Sequence, residues 1–361
     1  MTVTDVHHLV DTARRVPPPV VEAPTTGALK TLDHLIAASL PDDDSQFDDE
    51  LVEGLLGRAA MAVLYGDSNS GKTFAAIELG ARLSLAEEFL GHRTAGGIVV
   101  YLATEAAESV LLRLRAWRRR FGIRLPQFVI VRSPVNLFDG DGDTMAAIAL
   151  IATVDQQLQG KVVLVIGDTL ARISAGANEN SGEDMGIVLK HADRIRQATG
   201  AAFLWVHHTG KDAAKGMRGW SGMRAAIDTE IEVTADEATG LRSMEITKQR
   251  DLPGKGDRIG FRLEPVPMGV NRWGAPRTSC VVLASDAPAP KPRGKRVSEI
   301  AGAVTELLTQ HGAGLLKGRI VAHFDGRYHH SGVYRELKAM VEDGRLIESS
   351  GVVALPGKPK S

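Results

Sequence analysis

Between residues 59 and 206 the chain carries five short, unbroken apolar runs. They are AAMAVLY (59–65), IVVYLA (98–103), QFVIV (127–131), VVLVIG (162–167) and AAFLWV (201–206). A strand with one wet face alternates apolar and polar positions, whereas these runs do not. Each is therefore expected to be buried on both faces, as in a parallel sheet covered by helices. The segments between them have helical spacing, as in TFAAIELGARLSLA (73–86) and EDMGIVLKHADRIRQAT (183–199). This alternation predicts an α/β core with a mainly parallel sheet. After residue 229, TEIEVTA, LRSMEITKQR and RIGFRLEPV read as antiparallel edge strands, with turns at ADEATG and LPGKG.

The pattern changes at ASDAPAPKPRGKR (284–296), a Pro-rich basic stretch with the composition of a linker. Beyond it, SEIAGAVTELLTQ, KGRIVAHF and SGVYRELKAMVED read as three helices and GRLIESSGVVALPG as a hairpin. Three helices and a hairpin predict a small C-terminal winged helix-turn-helix domain. At the other end, RRVPPPVVEAPTTGA (14–28) is Pro-rich and reads as a flexible tail. The expected organisation is a tail over 1–28, a core over 29–284, a linker over 285–296 and a winged-helix-like domain over 297–361.

Composition excludes more than it selects. Hydrophobic residues at 43% and charged residues at 24% are ordinary globular values. No run approaches the ~20 apolar residues of a membrane span, and MTVTDVHHLV lacks the apolar segment of a secretion signal. No membrane partner is expected. The single Cys280 excludes an internal disulfide or a Cys-rich zinc site and fits a cytoplasmic location. The net charge of −1 is uneven: from Lys291 onward twelve Lys/Arg oppose seven Asp/Glu, a net of +5, which leaves −6 before it. The cluster PDDDSQFDDELVE (41–53) reads as a solvated acidic surface.

Candidate chemistry starts at GDSNSGKT, which matches the phosphate-loop pattern G-x-x-x-x-G-K-[ST]. It runs through Gly66, Asp67, Ser68, Asn69, Ser70, Gly71, Lys72 and Thr73, with Phe74 next, between a predicted strand and a predicted helix. Glycines let backbone N–H groups wrap phosphates, and the helix N-terminus adds its positive dipole. Lys72 is expected on the β- and γ-phosphates of ATP and the Thr73 hydroxyl on magnesium. A second magnesium-side acid belongs at the end of another buried strand, where KVVLVIGDT supplies Asp168. Hydrolysis also needs a group that activates water, and Glu105 follows the strand of IVVYLATE on the same sheet edge.

A phosphate loop, a Glu after the next strand, an Asp closing a further strand and a strand ending in His-His together resemble the RecA-like ATPases. The resemblance is specifically to the RepA/DnaB-type hexameric helicase group and spans about residues 45–265. It is carried by LYGDSNSGKT, VYLATE, VIGDTLARISAGANENS, FLWVHHTGKD and ITKQRD. It implies a RecA-like P-loop NTPase core and makes His208 a polar sensor of the γ-phosphate. It also implies that Lys248 and Arg250 act in the neighbouring subunit's site, with Arg250 as the finger. The loops after Asp168 and after His208 would line a central channel for single-stranded DNA. SAGANENSGED is a neutral-to-acidic loop, but DAAKGMRGWSGMR offers Lys215, Arg218 and Arg224, with Trp220 for stacking.

Three other signals carry less. DGDGD (139–143) opens like a calcium loop, but its sixth position is Thr144 rather than Gly and its twelfth is Leu150 rather than Glu. RLRAWRRRFGIR (113–124) reads as a basic, solvated helix face. Adjacent strand residues point to opposite faces, so His207 and His208 are not a chelating pair. The expected protein is an ATP- and magnesium-dependent, ring-forming helicase or helicase-like ATPase of plasmid or phage replication. It is expected to form a hexameric homo-oligomer with single-stranded DNA and replication-initiation proteins as partners. The alternatives are a RadA/KaiC-like ATPase that remodels protein and an ATP-gated winged-helix DNA-binding regulator.

Overall fold

The computed structural model describes residues 50–210, 217–289 and 299–356. The expected tail, most of the expected linker and Lys215 lie outside the described residues. Two compact units divide the chain, Met1–Pro288 and Ala289–Ser361.

The first unit is built on a nine-stranded sheet in the order β11-β10-β9-β8-β3-β7-β6-β4-β5. Its strands are β3 (Met61–Gly66), β4 (Ile98–Ala103), β5 (Phe128–Val131), β6 (Val162–Asp168), β7 (Ala202–His208), β8 (Thr229–Ala235), β9 (Leu241–Gln249), β10 (Arg258–Val270) and β11 (Pro276–Ala284). A separate two-stranded ribbon, β1 (Glu50–Val52) with β2 (Leu56–Gly57), precedes it. Every residue of β3 and β4 is buried, which is why these runs are apolar without alternation. Each fully buried Val, Leu or Ile side chain contributes on the order of 1.5–3 kcal/mol.

Helices α1 (Lys72–Ser84), α2 (Ala107–Phe121), α3 (Gly142–Leu158), α4 (Leu170–Ile173), α5 (Gly182–Thr199) and α6 (Ser221–Ala226) connect these strands. Two apolar layers result. One packs α1 residues Ala75, Ala76, Ile77, Leu79 and Leu83 on one side of the sheet. The other packs α3 and α5 residues such as Leu150, Val154, Val188 and Ile195 on the opposite side. Helices α2 and α5 stop at Gly122 and Gly200, both in the left-handed region.

Two sequence expectations change. TEIEVTA is not an antiparallel strand start: β8 runs parallel to β3, in register from Ala62↔Thr229 to Gly66↔Val233. Antiparallel pairing begins only at β8–β9 and continues to β11. Strand β11 pairs with the whole second half of β10 and lengthens that hairpin well beyond RIGFRLEPV. The DGDGD segment leads into α3. There Asp143 accepts the Asn136 N–H at 2.7 Å, and Asp141 pairs with Arg194 at 2.7 Å and lies 3.0 Å from His191.

The second unit contains α7 (Glu299–His311), β12 (Leu315–Leu316), α8 (Lys317–His323), α9 (His330–Glu342), β13 (Ile347–Ser349) and β14 (Val352–Ala354). Its sheet has the order β12-β14-β13, so the closing hairpin gains a third strand from the short segment between the first two helices. Ala301, Val304, Ile320, Val333, Leu337 and Val353 form its core.

Candidate active site

Parallel strands end together, and this sheet uses that edge. Gly66 closes β3, the strand between β7 and β8, and stands opposite His208 of β7. Asp168 closes β6 and stands opposite Val206 of β7 and Ala103 of β4. The phosphate loop, the acid, the histidine and the start of the Glu105 loop are thus brought to one line by register alone.

The loop geometry explains its glycines. A Cβ on Gly66 would lie 2.2 Å from the Val233 carbonyl oxygen of β8, so no other residue fits without moving the sheet. Gly71 has φ 104° and precedes α1, whose first turn has no side-chain cap. The N–H groups at that helix start are therefore not taken by a capping side chain. Ser70 N–H bonds the Asp67 carbonyl at 3.1 Å, and the Thr209 hydroxyl donates to the Asp67 carboxylate. Lys72 is buried, with Nζ donating to the Gly66 and Asp67 carbonyls at 2.8 and 2.7 Å. Burial pulls its pKa down, while Asp168 and Asp67 oppose that shift.

Asp168 is 5% exposed and held by several donors. The Tyr101 hydroxyl donates to its Oδ2 at 2.6 Å, and Thr73 also donates to the carboxylate. Its carbonyl accepts from the Thr104 hydroxyl at 3.0 Å. Burial pushes the carboxyl above its ordinary value, and the Tyr101 and Thr73 bonds work against that shift. The sequence reading missed Tyr101, because a Tyr inside IVVYLA looks like any core aromatic.

These groups surround a cleft of about 470 Å³. Ser68, Asn69, Gly71, Lys72, Thr73 and Phe74 form its floor, with Glu105, Asp168 and His208 on its wall. Arg242 also lines it, as does Arg113, the first residue of the basic run 113–124 expected to be a solvated face. Arg113 lies over the Phe74 ring at 4.4 Å, and Arg242 reaches from β9 toward Gly71. Their signal was weak because each is one arginine among many on a helix or strand.

The two histidines separate as strand geometry requires. His208 is half-buried in the cleft, its pKa lowered by burial and by the Lys72 charge. His207 is 1% exposed, and its Nε2–H donates to the Arg218 carbonyl at 2.9 Å. Burial depresses its pKa too. Among the described residues no group of His, Cys, Asp and Glu could hold a metal ion by itself.

The two predicted channel loops are joined to each other. Arg218 pairs with Glu179 at 2.9 Å, and the Trp220 N–H donates to the Glu179 carbonyl at 2.8 Å. The Trp220 ring lies against Gly182 and Gly222, where a Cβ would fall 2.9 and 2.1 Å from its atoms. Arg224 pairs at 2.8 Å with Glu230, a carboxylate buried in β8. Lys248 and Arg250 stand outside the cleft. Lys248 Nζ donates to the Arg224 and Ile227 carbonyls at 2.6 and 2.5 Å. Arg250 pairs with Asp228 at 2.6 Å and donates to the Ala225 carbonyl at 2.6 Å.

A family described as an AAA domain (AAA_25) matches residues 30–214, just over half of the 361 residues. The chain belongs to that family. The AAA domain is a P-loop ATPase, a family that binds nucleotide. A solved structure described as the RadB recombinase is similar over 57% of this chain and 88% of that chain, at 15% identity and a TM-score of 0.41. No curated protein matches the chain. Among the described residues no helix is long and apolar enough to cross a membrane.

Proposed function

We propose that this AAA domain protein is a RecA-like, ring-forming helicase or helicase-like ATPase of the RepA/DnaB type, coupling ATP hydrolysis to movement on single-stranded DNA. One observation carries the reading. Lys72, Thr73, Asp168, Glu105 and His208 meet in one cleft; Lys248 and Arg250 lie outside it and would exchange their contacts within the chain for a neighbouring subunit's site.

The cleft fits magnesium-bound nucleotide. The Gly66 backbone would be displaced by any Cβ, and the Ser70 hydroxyl is buried with no partner among the described residues. Lys72 already sits among loop carbonyls, in reach of phosphates bound to the same loop. Thr73 and Asp168 would hold magnesium, which when bound offsets the negative charge of the phosphate oxygens. Lys72 neutralises the terminal phosphates, and Glu105 orients and deprotonates the attacking water. His208, neutral at pH 7 because burial and Lys72 lower its pKa, offers a hydrogen bond at the terminal phosphate. Arg250 completes the neighbour's site, so turnover depends on assembly.

In this reading the second unit is a winged helix-turn-helix with α9 as its recognition helix. The ring is a cytoplasmic hexamer, and replication-initiation proteins are its partners. A RadA-like ATPase that remodels protein is the second reading. It is favoured by the pairing of Arg218 with Glu179 and of Arg224 with Glu230, which neutralises part of the expected channel. Hydrolysis measured with and without oligodeoxythymidine separates the two. Stimulation by the single strand is expected of the helicase and its absence of the second reading. Arg250→Ala should bind ATP normally yet hydrolyse little. Near-normal turnover in that variant removes the in-trans finger.

A further inference from the structure

The β10–β11 hairpin is firmly held at its base and bare at its tip. Val266 and Val281 pack with Ala81, Ala116 and Trp117 of α1 and α2. Arg120 of α2 pairs with Glu264 of β10 at 2.8 Å. Beyond this anchor the ribbon leaves the body, and Val270 is 66% and Trp273 76% exposed. These are the most exposed large apolar side chains among the described residues.

The charge around it has one sign. From Pro265 to Ala284 the ribbon contains Arg272 and Arg277 and no carboxylate. The Arg272 guanidinium lies 4.4 Å from the Trp273 ring centroid. Helix α2, which packs against this ribbon, carries Arg118 and Arg119. Both are exposed and make no ion pair among the described residues. The chain as a whole is nearly neutral, so the excess of arginine on this ribbon and its supporting helix is a local feature. The arginines of the loop after β7 differ: Arg218 and Arg224 each already hold a carboxylate, and Trp220 lies against two glycines.

We propose that the β10–β11 hairpin and the arginine face of α2 form a binding surface for single-stranded nucleic acid, with a base stacked on Trp273 and phosphates on the arginines. Guanidinium groups with no ion pair among the described residues, one of them over an exposed aromatic, match a polyanion whose bases have free faces. Only the choice of a single strand over a duplex rests on the motor reading above.

The test uses the full chain and a fluorescein-labelled 20-mer of deoxythymidine, read by anisotropy at several salt concentrations. Trp273→Ala should weaken binding about tenfold, the loss of one stacked base, and Trp273→Phe should restore most of it. Arg118→Gln with Arg119→Gln should flatten the salt dependence of log affinity by about 1.4, the loss of two phosphate contacts. Basal ATP hydrolysis should be unchanged in all of these, since none lines the cleft. Wild-type affinity in Trp273→Ala overturns the proposal. So does a change in sedimentation of Trp273→Ala with affinity retained, which assigns the tip to a second copy of the chain. Tighter binding of the corresponding duplex than of the single strand also overturns it. If Trp273→Ala weakens binding but the oligonucleotide never stimulates wild-type hydrolysis, the surface stands and the motor reading falls. If stimulation persists with unchanged affinity in Trp273→Ala, the motor reading stands and the surface falls.

Discussion

Removing one oxygen atom from Tyr101 tests how the acid at the end of β6 is held. Tyr101→Phe keeps the ring and its stacking on Phe128, centroids 5.9 Å apart, so only the donor to Asp168 is lost. That donor lies 2.6 Å from Oδ2 of a carboxylate that is 5% exposed, which leaves Thr73 as its remaining side-chain donor. A hydrogen bond to a buried charge is worth about 1.5–3 kcal/mol, or roughly 10- to 100-fold in the unfolding equilibrium. All four tryptophans lie in the first unit, so urea unfolding followed by tryptophan fluorescence reports on that unit alone.

The deficit has a predicted pH dependence. Burial raises the Asp168 carboxyl above its unfolded value, so between the two values the native state binds the proton and the unfolded chain does not. Stability from this group therefore falls as pH rises through that window. Losing the Tyr101 donor raises the folded value further. The deficit of Tyr101→Phe should be largest at neutral pH and should narrow in acid, where Asp168 is protonated. The same variant should need several-fold more magnesium for half-maximal hydrolysis, because the Tyr101 hydroxyl that orients the Asp168 carboxylate is lost. A deficit below about 0.5 kcal/mol, flat with pH and with unchanged magnesium dependence, would refute the idea that Tyr101 holds Asp168 for the metal.

Other substitutions probe the rest of the edge. Gly66→Ala should fail to bind nucleotide in an equilibrium assay with a fluorescent ATP analogue, because its Cβ would stand 2.2 Å from the Val233 carbonyl oxygen and force β3 from β8. Glu105→Gln should bind that analogue normally while hydrolysis drops by on the order of 10²–10⁴, measured as phosphate release. His207→Asn should alter acid stability. The depressed His207 pKa means the unfolded chain binds the proton first, so stability is lost as pH falls below about 6.5. Thermal unfolding of His207→Asn should show a shallower loss across that window, and an unchanged slope would remove His207 as its source.

Much of the core and of the cis side of the cleft was legible in the sequence because both depend on local chemistry. Strands buried on both faces must be continuous apolar runs, and IVVYLA forms a strand over the predicted residues. A phosphate loop needs glycine where a Cβ would collide, as at Gly66, or where the backbone is left-handed, as at Gly71 in GDSNSGKT. Asp168 and Glu105 could be placed because parallel strands must end on one edge. What the sequence could not carry was pairing across distance. TEIEVTA has the same pattern whether it pairs parallel or antiparallel, and only its docking beside β3 settles the direction. Tyr101 reads as core until Asp168 is seen 2.6 Å from its hydroxyl. Arg218 and Arg224 read as free basic groups until Glu179 and Glu230 come to meet them from other elements. Nothing local to RWGAPR tells whether its tryptophan is covered, since that depends on where the β10–β11 ribbon leaves the support of α1 and α2. The sequence alone determined where the phosphate-loop pattern lies, through steric and periodic rules that act over a few residues. The tertiary structure alone decided which charges are spent internally and which remain for a partner, because ion pairing and burial depend on contacts between segments far apart in the chain.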